Sequence, residues 1–285
     1  MKTYNDVYLD ARRKLKMAGV EAFTLEARLI VGGAAGKTKE QLLKDLNMYA
    51  GEDFAKKVEG LVERRIAGEP VAHITGEWEF YGCPIMVTPD VLIPRVDTEV
   101  MAELAIKLLR GRDTGSSRIL DLCTGSGCVG IAIAKNVSDC RVILADNSVR
   151  AINVARHNVA KNNLTRKITC VEADALRNPP MLLGKFDMMV CNPPYIPTAD
   201  IMGLDPSVRD YEPVEALDGG EDGLDFYKAI VPKWKDILKP NGCMMFECGI
   251  GQAADVEKIL KDNGFAQIKS FKDTLNIDRV VVGIL

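Results

Sequence analysis

No two cysteines are spaced as C-x-x-C, only two histidines occur, and no apolar run approaches the length of a membrane-spanning helix. Each absence removes a class of function. The eight cysteines are scattered, several within expected core strands, and only His73 and His157 could join them in a zinc site. They read as reduced, buried, small apolar residues, with no metal site. Without a run of about 18 apolar residues there is no transmembrane span. The first charges include Asp6 and Asp10 and no apolar segment accompanies them, which argues against secretion or organelle import and for a cytoplasmic protein. A basic excess is also missing: 37 Lys and Arg face 40 Asp and Glu, a formal net charge of −3, and the first 85 residues hold 13 of each sign. Stable nucleic-acid binding is therefore not expected. Repeats and low-complexity tracts are absent.

The 285 residues, 47% hydrophobic, suffice for one large α/β domain and a smaller one. Residues 1–75 read as helical, with amphipathic patterns at Val7, Leu9, Ala11 and Leu15, at Leu25, Ala27, Leu29 and Ile30, and at Phe54, Val58, Leu61, Val62 and Ile66. Residues 76–88 alternate like a hairpin turning near Gly82-Cys83-Pro84 and read as a linker. From Pro89 to residue 285, strands alternate with helices as in a doubly wound sheet. The pattern predicts helices at Thr98–Leu109, Cys128–Asn136 and Val149–Asn162, and strands at Arg141–Ala145, Ile168–Glu172 and Phe186–Cys191. Leu224 to Leu238 carries a helical stripe in which Trp234 is a core residue. Lys239-Pro240-Asn241-Gly242 reads as a turn before the strand Cys243–Glu247, and Arg279–Leu285 as the last strand.

The apolar strand Phe186–Cys191 delivers the polar loop Asn192-Pro193-Pro194-Tyr195. Two prolines fix φ and remove two donors, so the loop presents carbonyl acceptors beside the Asn192 carboxamide and the Tyr195 ring. Such a site suits an NH2 group on a planar, conjugated system, whose two hydrogens the acceptors would hold while the weakened lone pair is aimed at an electrophile. The bland alternative is an ordinary Pro-rich turn.

Upstream, Arg118 to Leu122 reads as a first strand, followed by the turn Cys123-Thr124-Gly125-Ser126-Gly127 into the helix at Cys128. Gly125, Gly127 and Gly130 spell the G-x-G-x-x-G of a dinucleotide site, with Asp146 19 residues after Gly127, so a nicotinamide dehydrogenase is a rival. Asp121 weighs against it. A carboxylate just before the turn repels a pyrophosphate but attracts a ligand bearing an ammonium and a sulfonium, as S-adenosyl-L-methionine does, and Asp146 would take its ribose hydroxyls. The plainer roles are turn bonding for Asp121 and a solvated strand end for Asp146.

With these motifs in place, the chain resembles the PrmC/HemK family of class I S-adenosylmethionine-dependent methyltransferases over nearly its whole length. The resemblance extends to Glu69-Pro70-Val71-Ala72-His73-Ile74-Thr75-Gly76, Phe80-Tyr81-Gly82, Leu92 to Glu99, Tyr211-Glu212-Pro213, Ala216-Leu217 and Gly219 to Tyr227. It implies a Rossmann-like, mostly parallel sheet with the last strand antiparallel and a small N-terminal helical domain that docks substrate. A monomer is the expectation, although no residue in the sequence decides the oligomeric state. It implies methylation of N5 of the glutamine in the Gly-Gly-Gln motif of peptide chain release factors. Cys123 to Gly127, Asp146, Asp174, Ala175 and Asn192 would surround the cofactor, and Asn192 to Tyr195 would hold the glutamine.

Two positions depart from the family pattern. Cys123 stands where a glycine is usual, and its Cβ and sulfur crowd the methionine end of the cofactor unless φ there is negative. Ala175 stands where some members carry an aromatic beside the adenine. Glu212 and Glu247 are further ionisable candidates, the former otherwise a solvated loop charge and the latter otherwise an internal ion pair. The rival functions are an N6-adenine DNA or RNA methyltransferase, a ribosomal-protein glutamine methyltransferase sharing the Asn-Pro-Pro-Tyr loop, and a silent cofactor-binding scaffold.

Overall fold

The computed structural model describes residues 1–111 and 116–285. They form two compact units, Met1–Glu77 with Asp205–Tyr211, and Trp78–Leu204 with Glu212–Leu285.

In the first unit, α1 (Tyr4–Met17), α2 (Phe23–Ala35), α3 (Lys39–Asp45), α4 (Glu52–Ile66) and α5 (Val71–Thr75) pack as a helical bundle. Thr3 and Asp6 close a capping box at the start of α1, and Thr38 and Gln41 do the same for α3, satisfying backbone donors that a helix start leaves free. Val7, Ala11 and Leu15 recur at helical spacing and are buried, as are Val58 and Val62 of α4. Leu9 and Leu25, read with the apolar pattern, face solvent. Arg65 of α4 pairs with Glu26 of α2 at 2.5 Å.

The hairpin β1 (Glu77–Phe80) and β2 (Cys83–Met86) turns at Tyr81 and Gly82, both at positive φ, one step earlier than the Gly-Cys-Pro signal indicates. Two consecutive left-handed residues make the tight turn that matches strand twist, which leaves Pro84 inside β2. This hairpin packs in the second unit: Asn158 takes the Met86 N–H at 2.7 Å and returns a hydrogen bond to its carbonyl at 2.9 Å.

The second unit continues with α6 (Thr98–Arg110), β3 (Ser117–Leu122), α7 (Cys128–Asn136), β4 (Cys140–Asp146), α8 (Val149–Lys161), β5 (Ile168–Glu172) and β6 (Phe186–Cys191). The short α9 (Pro206–Arg209) belongs to the first unit. Then follow α10 (Asp225–Trp234), β7 (Leu238–Glu247), α11 (Ala253–Asp262), β8 (Ala266–Lys272) and β9 (Asp278–Ile284). The sheet order is β5-β4-β3-β6-β7-β9-β8. Neighbours from β5 to β7 run parallel, and β9 alone of the seven is reversed, pairing antiparallel with β7 and β8. The last strand is thus inserted between β7 and the edge strand β8. Lys239 to Gly242 is not a separate turn: it lies within β7, which advances from Leu238 to Cys243 while its partner β6 advances only from Phe186 to Met188. Asn241 sits at φ 60° in this irregularity.

Burial explains the strand composition. Met188 to Cys191 are wholly buried, as expected of a central strand covered on both faces. Trp234, also fully buried, donates its indole N–H to the carbonyls of Ala175 and Arg177 at 3.0 and 2.9 Å. The chain runs from β3 outward through β4 to β5 on one side and then crosses back to β6 on the other side of β3, so a crevice opens at the carboxyl ends of β3 and β6, where open α/β sheets bind ligands.

Candidate active site

A cavity of about 620 Å³ occupies that crevice and is lined by Asp121, Cys123 to Ser126, Asp146, Ala175, Asn192 and Pro194, with Arg95, Thr98 and Phe226 among its other walls. Its size is that of an ordinary small-molecule site. Most residues singled out from the sequence therefore meet. Gly127 is the N-cap of α7 at φ 83° and shapes the turn without lining the cavity. Asp174, Pro193 and Tyr195 are likewise not among the lining residues. Asp174 is engaged locally, receiving the Leu176 N–H at 2.9 Å and pairing with Arg177 at 3.1 Å.

Asp121 both bonds the turn and faces the cavity. Its Oδ2 accepts from the Thr124 hydroxyl and from the Gly130 N–H, each at 2.8 Å, and burial pushes its carboxyl up to about 7. Gly130 is needed for this approach: a Cβ there would stand 2.2 Å from Leu144 Cδ2 and 3.0 Å from Asp121 Oδ2. Asp146 is half-buried instead of solvated. It accepts the Gly125 N–H at 2.9 Å through Oδ2 and the Ser148 N–H at 3.0 Å through Oδ1, and burial raises it. Each of its oxygens keeps a further lone pair, enough to take a pair of vicinal hydroxyls.

Cys123 does not adopt the negative φ that would relieve crowding. It sits at φ 57°, a left-handed conformation that disfavours a side chain by about 1–2 kcal/mol. Its side chain packs against the core cluster that includes Cys191 while still lining the cavity.

The Asn-Pro-Pro-Tyr loop is held by segments remote in sequence. The Ile196 N–H donates to the Leu217 carbonyl at 3.0 Å, the Gly219 N–H to Ile196 at 2.8 Å, and the Thr198 N–H to Gly220 at 2.9 Å. Gln252 Nε2 donates to the Tyr195 carbonyl at 2.9 Å. Gly219 and Gly223 lie so close to Tyr195 that a Cβ on either would come within 2.7 and 2.4 Å of its backbone. Asn192 Nδ2 donates to Thr98 Oγ1 at 3.3 Å, and the Tyr195 hydroxyl donates to Glu247 Oε1 at 3.3 Å. Thr98, Gln252 and the glycines of 219–223 were not individually recognisable as site residues, although Thr98 and the 219–227 stretch fall within the segments that carry the family resemblance. Glu247 is 1% exposed and Glu212 is 6%, and neither lines the cavity. Glu212 is the one that forms an internal ion pair, bonding Arg95 and the Ile93 N–H at 2.5 and 3.0 Å. Among the described residues no cluster of His, Cys, Asp or Glu could hold a metal ion, and no helix is long and apolar enough to cross a membrane.

Residues 98–202 match the family described as Methyltransferase small domain, and residues 6–76 match the PrmC N-terminal domain. A protein of Geobacter sulfurreducens named release factor glutamine methyltransferase is 40% identical over 95% of this chain and 93% of its own length. One of the same name from Thermodesulfovibrio yellowstonii is 40% identical over 90% of this chain and 91% of its own. The crystal structure of the hMettl16 catalytic domain in complex with MAT2A 3′UTR hairpin 6 superposes with a TM-score of 0.57 at 18% identity, covering 82% of each chain, a likeness of fold alone. Full-length relatives at this identity, together with matches in both the helical and the sheet-bearing units, place the chain in the family of release factor glutamine methyltransferases.

Proposed function

We propose that this chain transfers the methyl group of S-adenosyl-L-methionine to the side-chain N5 of the glutamine in the Gly-Gly-Gln motif of peptide chain release factors. The observation that carries the reading is that Asn192 and Pro194 line the same cavity as Asp121, Asp146 and the glycine turn. The polar groups fit the cofactor. Asp146 offers acceptors for a ribose diol, Asp121 places an acidic group toward a sulfonium and ammonium, and the Gly125 Cβ position is open, so a ligand can approach the backbone there. S-adenosyl-L-methionine supplies, when bound, a methyl group activated by positive sulfur.

The residues of this chain supply position. The Asn192 carboxamide oxygen and the carbonyls of the proline loop accept the two hydrogens of the glutamine NH2, which aligns its lone pair for in-line displacement. Holding reactants in such a geometry supplies roughly 7–11 kcal/mol. Transfer to nitrogen makes it acidic, and its proton leaves to solvent, so the lack of a histidine beside the loop is no obstacle. The helical unit at residues 1–75 is the docking element for the release factor in this reading, and the chain acts as a monomer.

Competition tests the substrate. Labelled methyl should pass to a purified release factor at physiological salt in the presence of excess duplex DNA and structured RNA, with neither nucleic acid labelled or inhibitory. Labelling of the nucleic acid with none on the release factor overturns the reading.

A further inference from the structure

Glu247 ends β7 one residue past the Phe246–Cys191 register pair, so it stands beside the start of the Asn192 loop. It is buried, and its Oε2 has no hydrogen-bond partner among the described residues. Burial raises its carboxyl to about 7. Opposing this shift are the Thr98 hydroxyl, Arg279 of β9 and the Tyr195 hydroxyl, while Asp97, just before α6, adds to it. The other ionisable groups around it are the thiols of Cys128 and Cys248 and the Tyr227 phenol, whose hydroxyl donates to the Glu247 backbone carbonyl at 2.8 Å. Arg279 is itself shared with Asp273 at 3.1 Å and Asp97 at 3.5 Å. Among the described residues no full counter-charge is committed to Glu247.

The hydrogen-bond polarity of this cluster has one consistent solution when Glu247 is ionised. A carboxylate only accepts, so the Tyr195 hydroxyl, 3.3 Å from Oε1, turns its proton toward it, and the neighbouring Thr98 hydroxyl, which acts against the rise of this carboxyl, turns its own the same way. Thr98 Oγ1 then offers only lone pairs to Asn192, and the Asn192 carboxamide must present Nδ2 inward, as it does at 3.3 Å. Its oxygen is left for an incoming NH2 group. A neutral carboxylic acid donates, which allows Thr98 to reverse and the carboxamide to rotate. An Asn192 NH2 facing a substrate NH2 is repulsive.

We propose that Glu247 is a positioning residue: through Thr98 it sets the orientation of the Asn192 carboxamide and through the Tyr195 hydroxyl it anchors the far end of the loop. It acts from behind the site, since it does not line the cavity. The proposal rests on the methyl-transfer reading for its kinetic consequence, but the orientation of Asn192 is measurable without any reaction.

The test is a pair of titrations on the whole protein and on Glu247→Gln between pH 6 and 9. The first follows the side-chain amide signals of Asn192 by NMR, assigned by their loss in Asn192→Ala. They should move with a midpoint near 7 in the parent and stay flat in Glu247→Gln. The second measures steady-state methylation of the release factor. The parent kcat should fall roughly tenfold per pH unit below the midpoint with KM for cofactor unchanged. Glu247→Gln should be pH-independent and about 100-fold slower at pH 8, the scale of a misplaced reacting group. Thermal melting at pH 8 separates this from structural damage, because removing a buried charge should leave Glu247→Gln at least as stable as the parent. Asn192 signals that ignore pH, or a Glu247→Gln variant with the parent's kcat and profile, overturn the proposal. If the parent methylates no release factor the functional reading fails, and the NMR titration still decides the role of Glu247.

Discussion

Gln252 Nε2 donates to the carbonyl of Tyr195 across 2.9 Å, although 57 residues separate them, and its Oε1 accepts the Gly249 N–H at 2.9 Å. One side chain thus ties the loop after β7 to the last residue of the Asn-Pro-Pro-Tyr motif. Replacement by alanine leaves the Tyr195 carbonyl without this donor and should slow turnover more than it weakens cofactor binding. Steady-state kinetics against cofactor affinity by calorimetry checks the split. A Gln252→Ala variant with normal kcat but lost affinity would contradict it.

Asn192→Ala should abolish methyl transfer while the fold stays intact. Among the described residues its carboxamide bonds only Thr98, so truncation removes the acceptor for the substrate nitrogen and little of the core. Thermal melting alongside a transfer assay is the check, and near-normal methylation by a folded variant would refute the assignment.

Asp146→Ala should weaken S-adenosyl-L-methionine binding by about 1.5–3 kcal/mol, the usual loss for a charge-assisted hydrogen bond. Calorimetry measures it. Unchanged affinity, or tight binding of a nicotinamide dinucleotide by the parent, would reopen the dehydrogenase alternative.

Stability should depend on pH through Glu247. Its carboxyl is raised from 4.5 to about 7 in the folded protein, so the folded state binds the proton more tightly than the unfolded chain. Its effect is absent below about pH 4.5, grows as pH rises toward 7, and levels off above, where it opposes folding by about 3 kcal/mol. Denaturant titrations should therefore find Glu247→Gln more stable than the parent at pH 8 by an amount of this order, with the difference vanishing near pH 4. A variant less stable at pH 8 would contradict the burial argument.

Much of the sheet was legible because buried parallel strands read as short apolar runs between turn signals. Ile168–Glu172, Phe186–Cys191 and the helix Cys128–Asn136 fall where the pattern placed them. The edge strand β8 was missed, its alternation diluted by Gln267, Lys269 and Ser270 on a half-solvated edge. Lys239 to Gly242 carried a strong turn signal and is the out-of-register stretch of β7, bulging between Leu238 and Cys243, where the strand resumes its register with β6 and β9, so the local signal survives as a bulge and does not end the strand. Within the site, the turn and loop motifs were legible because each is local. Thr98 lies 94 residues from Asn192, and Glu247 lies 52 from Tyr195. Nothing in the sequence spacing links them: the packing of α6 against the sheet brings Thr98 to Asn192, and the pairing of β6 with β7 brings Glu247 to the Tyr195 loop.

The most direct measurement is site-mapped methylation. Purified chain, S-adenosyl-L-methionine and a peptide chain release factor should yield one methyl group on the Gly-Gly-Gln glutamine, located by peptide mass spectrometry. None should appear when that glutamine is replaced by alanine or when Asn192 is truncated. Methylation at another residue, or equal labelling of the alanine-substituted release factor, would contradict the account.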